Sequence, residues 1–590
     1  MDRIQKLITD HINTWSSVKA RNKSGRGRSN TNDTKIYGIL KLRELILDLA
    51  IRGKIVSQNL NDENASELLK KIIMEKDNLI AEGKLKKIKS SAVIVKKNKS
   101  LQIPTNWVWT TIANVLIDIS NGYTGAQNKI ATPFPVTRIE TISNSLINFE
   151  KVGYCHNITE SEVEKYKLYA GDILMSNINS DYHLGKTAVY DEKRLLIHGT
   201  NLLLLRPSKF VCSHFIDKFF NNKRLSGYFI SIAQHAIGQS SINQSKILQI
   251  PIALPPLREQ ERIVSKVDEL MALCDQLEQK HINSEVAHEK LIKVLLDSLT
   301  QYNDPDKIKD IYQNINTHFN TLFTTEESVR KLKKTLVDLA IMGKLVPQDH
   351  KEESACELIK KIQVKKNKLI NERKIKKEKL STHITENEKL FKLPKGWEWI
   401  RLNNFSEIKG GKRLPAGETF STNKTPYIYI QVTNMKNGVI VDENLKYINK
   451  ETHNKICQYT ISSKDLYITI AGTIGDVGSV PDRFDGMNLT ENAAKIVFHD
   501  VNKEWLIYSL ASTWSKKQFL NKSVKVAQPK LGLHKISTSI IALPPLKEQQ
   551  RIVNKLKELI FICNKLESRI LQASLKQKQV ADALVSQSLH

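Results

Sequence analysis

The sequence predicts an α+β fold: two mixed α/β domains joined by long helices that pair as an antiparallel coiled coil, related by an internal pseudo-two-fold repeat. The chain says the same thing twice at a register of about 290 residues. Asp48-Leu-Ala-Ile-Arg-Gly-Lys-Ile-Val-Ser-Gln58 returns as Asp338-Leu-Ala-Ile-Met-Gly-Lys-Leu-Val-Pro-Gln348, and Ile252-Ala-Leu-Pro-Pro-Leu-Arg-Glu-Gln260 as Ile541-Ala-Leu-Pro-Pro-Leu-Lys-Glu-Gln549. Each copy of the second frame runs into apolar residues at heptad spacing: Ile263, Val267, Leu270, Cys274 and Leu277, then Ile552, Leu556, Leu559, Cys563, Leu566 and Ile570. The blocks between the frames hardly repeat. They hold short β-like runs such as Gly171-Asp-Ile-Leu-Met-Ser and Tyr427-Ile-Tyr-Ile-Gln-Val, divided by Gly, Asn and Ser clusters. Two alike frames with unlike contents present two different surfaces in equivalent positions.

Taken in order, residues 1–36 form an amino-terminal head that ends in a polar stretch, Arg21 to Asp33, too rich in Gly, Ser and Asn to pack. It reads as a flexible linker; Arg26-Gly27-Arg28 also has the thin basic backbone of a minor-groove arm. Residues 37–100 make a helical region. Leu42, Leu45, Ile46 and Leu49 recur at helical spacing, Gly53 stands at the C-terminal cap, and a second helical stretch runs from Ala65 to Gly83. The lysine-rich run Lys84 to Lys99 and its counterpart, Lys365-Lys-Asn-Lys368 through Lys379, read as solvated linker ahead of phosphate contact.

Residues 101–250 and 391–540 are the two variable domains. Each opens with a proline and alternating tryptophans, Pro104 with Trp107 and Trp109, Pro394 with Trp397 and Trp399, the mark of a strand whose inner face anchors a core. Each closes on Ala-Leu-Pro-Pro-Leu and a long helix, at 251–300 and 541–590, with a linker and second helical region at 301–390 between them. Prolines suit a helix's first turn, where no internal hydrogen bond is given up, and Glu259 and Glu548 complement the dipole just inside. Cys274 and Cys563 occupy matching seam positions and read as small core residues. A helix of about 40 residues spans about 60 Å, enough to hold the two variable domains well apart.

Composition narrows the partner. The chain has 590 residues, 40% apolar, with a formal charge of +28 and a pI near 9.5. Nucleic acid is the leading partner class, because lysines and arginines release the condensed counterions of a polyanion; an acidic protein or a membrane surface would use the same charge. No apolar run of about 18 residues and no signal-peptide core occur, which predicts no membrane partner and a cytoplasmic location. The six cysteines stand apart with no CxxC, so neither a zinc site nor a disulfide framework is expected.

The apparatus of catalysis is missing. Gly185-Lys186-Thr187 mimics the end of a phosphate-binding loop, but Ser180 stands where its first glycine is required. Gly25-Arg-Gly27 lacks the third glycine of a dinucleotide fingerprint, and His288-Glu289 lacks the second histidine of a zinc site. The Pro-Pro dipeptides lie in Leu-Pro-Pro-Leu, without the polar residue before and aromatic after that amino-methyltransferases use, and Asp191-Glu-Lys193 has no upstream partner of a nuclease site.

The doubled frame Ala-Leu-Pro-Pro-Leu-(Arg/Lys)-Glu-Gln-x-Arg-Ile-Val before a heptad helix, with Leu-Pro-x-Gly-Trp-x-Trp before the second variable block, resembles the specificity subunit of type I restriction-modification enzymes. The Asp-Leu-Ala-Ile-x-Gly-Lys-(Ile/Leu)-Val segments and the extended head are similar to the B subclass. The first copy departs at Ile103-Pro-Thr-Asn106-Trp, with Asn for Gly. The resemblance implies that each variable block is a target recognition domain reading one half of a split sequence in double-stranded DNA, and that the helices space the halves and bind two modification subunits. It also implies that this chain is no enzyme and binds no cofactor. S-adenosylmethionine chemistry belongs to the modification subunits, and ATP/Mg-driven translocation and cleavage to restriction subunits.

Base edges are read by bidentate or donor-acceptor side chains, Arg and Lys for guanine, Asn and Gln for adenine. The candidates in the first domain are Arg138, Thr141, Asn177, Asn179, Ser180, His183, Lys186, His198, Asn201 and Gln244. In the second they are Lys412, Arg413, Gln431, Thr433, Asn434, Lys436, Thr473, Asn488, Thr490, Asn492 and Lys530. Asn-Ser-Gly clusters are also ordinary turn formers, and Glu140 reads better as a holder of Arg138 than as a cytosine contact. No metal site is expected; His183 and His198 lack a carboxylate or cysteine constellation. Two other classes compete: a self-contained DNA-acting enzyme with an unrecognised site, and a coiled-coil scaffold for acidic proteins without sequence-specific DNA binding.

Overall fold

The computed structural model describes residues 3–16, 36–85, 102–143, 145–181, 183–200, 202–236, 239–302, 304–373, 383–521 and 530–589. Arg26 to Arg28, Lys86 to Lys99, Asn201, Lys374 to Lys379 and Gln528 lie outside the described residues. The chain divides into two units, one of Met1–Ser284 with Ala573–His590, the other of Glu285–Gln572. Each unit takes the start of one long helix, Leu257–Gln301 or Leu546–Leu589, and the end of the other.

In the first unit the apolar spacing of residues 37–51 folds as expected into helix Tyr37–Ile51, which buries Leu42, Leu45, Ile46 and Leu49. Gly53 ends it at φ +68°, where a Cβ would strike Pro104 Cγ at 2.6 Å, so left-handed backbone and proximity both demand glycine. Helix Ala65–Ala81 follows, capped by the Asn64 side chain accepting from Ser66 N at 2.9 Å. The head is not all linker: Arg3–Asp10 and Ile12–Ser16 are helical, Trp15 is fully buried, and Gln5 Nε2 donates to Glu269 at 3.0 Å.

The seam of Leu257–Gln301 is broader than a two-helix stripe. Ile263, Val267, Leu270 and Cys274 share one core with the 37–51 helix and with Ala581 near the chain's end. Arg43 spans this packing, bonded to Asp275 at 2.6 Å and Glu278 at 3.0 Å, and Tyr37 Oη donates to Asp582 at 2.6 Å. The physical reason is area: a heptad stripe covers too little surface for so apolar a neighbour as residues 37–51, so a helical bundle forms around it.

The second unit repeats this plan. Helix Glu326–Ile341 ends before Gly343 at φ +69°, against Pro394, and helix Ala355–Asn371 follows. Lys365 to Lys368 therefore lie on a helix, not in a linker, with Lys365 paired to Asp500 at 2.7 Å. Ile552, Val553, Leu556 and Cys563 share their core with Leu332, Leu336 and Leu339 and with Ile292, Leu296 and Leu299 of the other long helix.

The variable domains share a sheet core. In the first, strands run in the order Leu116–Asn121, Leu203–Pro207, Asp172–Met175, Thr187–Tyr190, all antiparallel. In the second, Ser406–Gly410, Ala493–Phe498, Leu466–Thr469 and Val477–Ser479 keep that order and are extended by Val439–Ile440 and Met435–Lys436. The tryptophan strand pairs with the Pro-Pro frame in both: Val108–Thr111 with Pro251–Leu254, and Glu398–Arg401 with Ile540–Leu543. Thus the unrepeated blocks hang from one repeated support.

Candidate nucleic-acid interface

The support is tied by one carboxylate per unit. Trp107 Nε1 and Gln58 Nε2 donate to Glu259 at 3.0 and 2.6 Å; Trp397 Nε1 and Gln348 Nε2 donate to Glu548 at 3.1 and 2.9 Å. Both glutamates lie in the first turn of their helices, as expected, and both are buried, so each is also a hydrogen-bond hub joining three distant segments. Burial raises the Glu548 carboxyl above its ordinary value, against the lowering effect of its Trp397 donor and Arg551. The next residue repeats too. Gln260 Oε1 accepts from Cys212 N, and Gln549 Oε1 from Asn502 N, both at 2.9 Å, fixing the start of each long helix to its own variable domain.

On this base each domain brings four loops together. In the first, Gly122 packs so tightly on Gly199 that a Cβ would fall 2.4 Å from His198 O, and Gly199 N donates to Thr137 Oγ1 at 2.8 Å. Arg138 leaves from this junction. Asn121, beside Gly122, accepts from Gln244 Nε2 at 3.4 Å, and Ile242 N donates to Asn177 O at 2.9 Å. The 176–186 and 239–244 loops, distant in sequence, are thereby one surface, joined by strand pairing of Ile178–Asn179 with Gln239–Ser241.

The second domain builds the same junction from different residues. A Cβ on Gly411 would lie 2.0 Å from Thr490 O, Lys412 N donates to Leu489 O at 2.9 Å, and Thr490 N to Ile430 O at 3.0 Å, next to Gln431. Leu531 N donates to Ile470 O at 2.8 Å, and Lys530 pairs with Ala471 in a β-bridge at the start of the 471–473 loop. Lys412 and Arg413 are exposed. Arg413 Nε donates to Glu491 Oε1 at 3.0 Å, and Tyr429 Oη reaches Lys412 O at 2.7 Å and Glu491 at 3.2 Å.

Five of the residues expected to read bases are corrected by burial. Thr141 accepts from Arg138 N at 2.8 Å and donates to Lys151 O at 2.9 Å. His198 Nε2 donates to Leu202 O at 2.9 Å, with its pKa lowered by burial. Asn434 accepts from Gln431 N at 2.9 Å and donates to Glu443 O at 2.7 Å. Asn488 donates to Ile456 O at 2.9 Å and contacts His453 at 2.7 Å, while Thr490 sits 4% exposed under Glu491. These side chains satisfy polar groups of their own loops in the interior and are not presented at the surface.

Solvent reaches the others among the described residues. Ser180, Lys412, Arg413, Thr433, Lys436, Thr473 and Lys530 are exposed. Arg138, Asn177, Asn179, His183, Lys186, Gln244, Gln431 and Asn492 are half-buried at the same loop rims. Burial and the nearby Lys186 and Arg224 lower the His183 pKa, favouring its neutral, donor-acceptor form. Arg138 Nε lies 3.4 Å from Glu140, and Lys436 pairs with Glu443 at 2.5 Å. Asn121, Tyr429 and Glu491 join the site without having been expected; for Glu491 the available signal was a carboxylate set between Thr490 and Asn492 in a polar loop. Among the described residues no three His, Cys, Asp or Glu side chains gather as a metal site, and no helix is long and apolar enough to cross a membrane.

Residues 104–288 and 394–576 match the family model described as the type I restriction modification DNA specificity domain. Over the full length of both chains, this protein is 34% identical to the type I restriction enzyme EcoAI specificity subunit and 32% identical to the EcoEI specificity subunit, both of Escherichia coli. The solved HsdS subunit from Thermoanaerobacter tengcongensis is 15% identical, with a TM-score of 0.40 over 83% of this chain and 98% of that one. With the model matched in both halves and relatives aligned end to end, the chain belongs to the family of type I restriction-modification DNA specificity subunits.

Proposed function

We propose that this subunit reads a two-part DNA sequence, one half through the 121–124, 137–140, 176–186 and 239–244 loops and the other through the 411–413, 431–436, 471–473 and 490–492 loops. Residues 101–250 and 391–540 are then the two target recognition domains, and the long helices link them and set the separation of the halves. The observation that carries this reading is the paired junction: Gly122 on Gly199 and Gly411 on Thr490 hold loops in the same arrangement while their exposed side chains differ. A repeated frame with unrepeated donors and acceptors is what recognition of two unlike sequences requires.

The chain supplies the address and leaves chemistry to companions: two modification subunits that use S-adenosylmethionine, and restriction subunits that use ATP and Mg. The net charge of +28 supports attraction to the phosphate backbone, with a matching salt dependence. Selection of duplexes from a random pool by the chain with its modification subunit tests the reading. Two short half-sites at fixed separation are expected; no enrichment would overturn it, and S-adenosylmethionine turnover by the isolated chain would favour a self-contained enzyme instead.

A further inference from the structure

We infer that Arg138 and Gln431 occupy one and the same base-reading position of the repeated frame, and that Arg138 reads a guanine and Gln431 an adenine at equivalent places in the two half-sites. The inference rests on the DNA-reading role proposed above, and adds which residue reads which base.

The equivalence is carried by the hydrogen bonding of the two turns. Arg138 N donates to the side chain three residues on, Thr141 Oγ1, at 2.8 Å; Gln431 N donates to Asn434 Oδ1 at 2.9 Å. Each begins a single 3-10 turn, Ile139–Thr141 or Val432–Asn434, from extended backbone. The third residue of each turn sends its side chain onward, to Lys151 O or Glu443 O, and its carbonyl accepts from Asn148 N or Val441 N, both at 2.8 Å. A two-stranded hairpin follows in both, Ile142–Ser143 with Leu146–Ile147 and Met435–Lys436 with Val439–Ile440. Val136, two residues before Arg138, pairs in parallel with Ile197, and Ile430, one residue before Gln431, with Leu489, which brings each turn to the Gly199 or Thr490 junction.

The chemistry at this shared corner differs in one respect. Arg138 lays its stem along Gly153, where a Cβ would come within 3.2 Å of Arg138 Cδ, and turns Nε toward Glu140. Its outer Nη1 and Nη2 edge is the fork that fits guanine O6 and N7. Gln431 offers a carboxamide, whose donor and acceptor fit adenine N7 and N6. Side chains of similar reach on the same scaffold exchange preference when they are exchanged.

The test is duplex selection with the chain in complex with its modification subunits, for wild type, Arg138→Gln, Arg138→Ala and Gln431→Arg. Arg138→Gln is expected to turn one guanine of one half-site to adenine, a shift of at least tenfold in preference at that position, with the other half-site intact as an internal control of folding. Gln431→Arg is expected to do the converse in the other half-site. Unchanged base preference with uniform weakening would overturn the inference, as would loss of the whole half-site to the same extent in Arg138→Gln and Arg138→Ala. Failure of wild type to select any paired half-sites would instead sink the proposed function.

Discussion

Trp107 Nε1 donates to the carboxylate of Glu259 at 3.0 Å, and this one bond joins the entrance of the first variable domain to the first turn of the long helix that leaves it. Trp397 and Glu548 make the same bond in the other unit. Replacing Trp107 with Phe should therefore cost about 1–3 kcal/mol, since a buried carboxylate loses one of its two donors. The check is a denaturant titration against wild type; a midpoint unchanged within error would show that the hub does not hold the domain.

Glu548 carries a pH signature. Its carboxyl is raised chiefly by burial, so the folded form holds its proton more readily than the unfolded chain. Its contribution to stability is full below the ordinary carboxylate range and is lost as pH rises through the raised folded value. Glu548→Gln should flatten that part of the stability-pH profile while lowering stability overall, because Trp397 and Gln348 donate to different oxygens of Glu548 and the carboxamide sets an NH2 donor against one of them. Thermal melts across mildly acidic to neutral pH would reveal an unchanged slope if this is wrong.

Gly411→Ala places a methyl 2.0 Å from Thr490 O, backbone that cannot step aside. Overpacking of this kind costs about 1–3 kcal/mol. The expected outcome is selective: the half-site read by residues 391–540 weakens or disappears from selected duplexes, and the other persists. Equal loss of both would mean that the junction supports the whole fold.

Arg413 is held at Nε by Glu491, leaving its outer edge free to donate. If that edge is bidentate to guanine, Arg413→Ala costs about 1–3 kcal/mol at one base position. Binding measured on duplexes differing at single bases distinguishes this from a phosphate contact, which would weaken all of them alike and reduce the salt slope.

Seven residues inserted into only one long helix should disrupt its seam and lower stability. Matched insertions into both, placed after Cys274 and Cys563, should change the separation of the half-sites without altering the bases selected. A separation that stays constant would remove the helices from any role as a spacer.

What the amino-acid order determined by itself was the periodic and the repeated. Heptad positions, the helix at 37–51, Gly53 and Gly343 as stops, and the tryptophan strands are legible because each follows from local spacing or one residue's backbone freedom. Which polar side chains reach solvent was decided only by tertiary structure. Thr141 and Thr433 look alike in sequence, yet one is sealed against Lys151 O and the other is exposed, because Thr141 is the third residue of its turn, facing inward, and Thr433 the second of its own, facing out. The role of Glu259 was hidden for the same reason: its partners, Gln58 and Trp107, are brought to it only by packing. The likeness of the turns that begin at Arg138 and Gln431 likewise shows in the bonds each backbone N–H makes to the side chain three residues on.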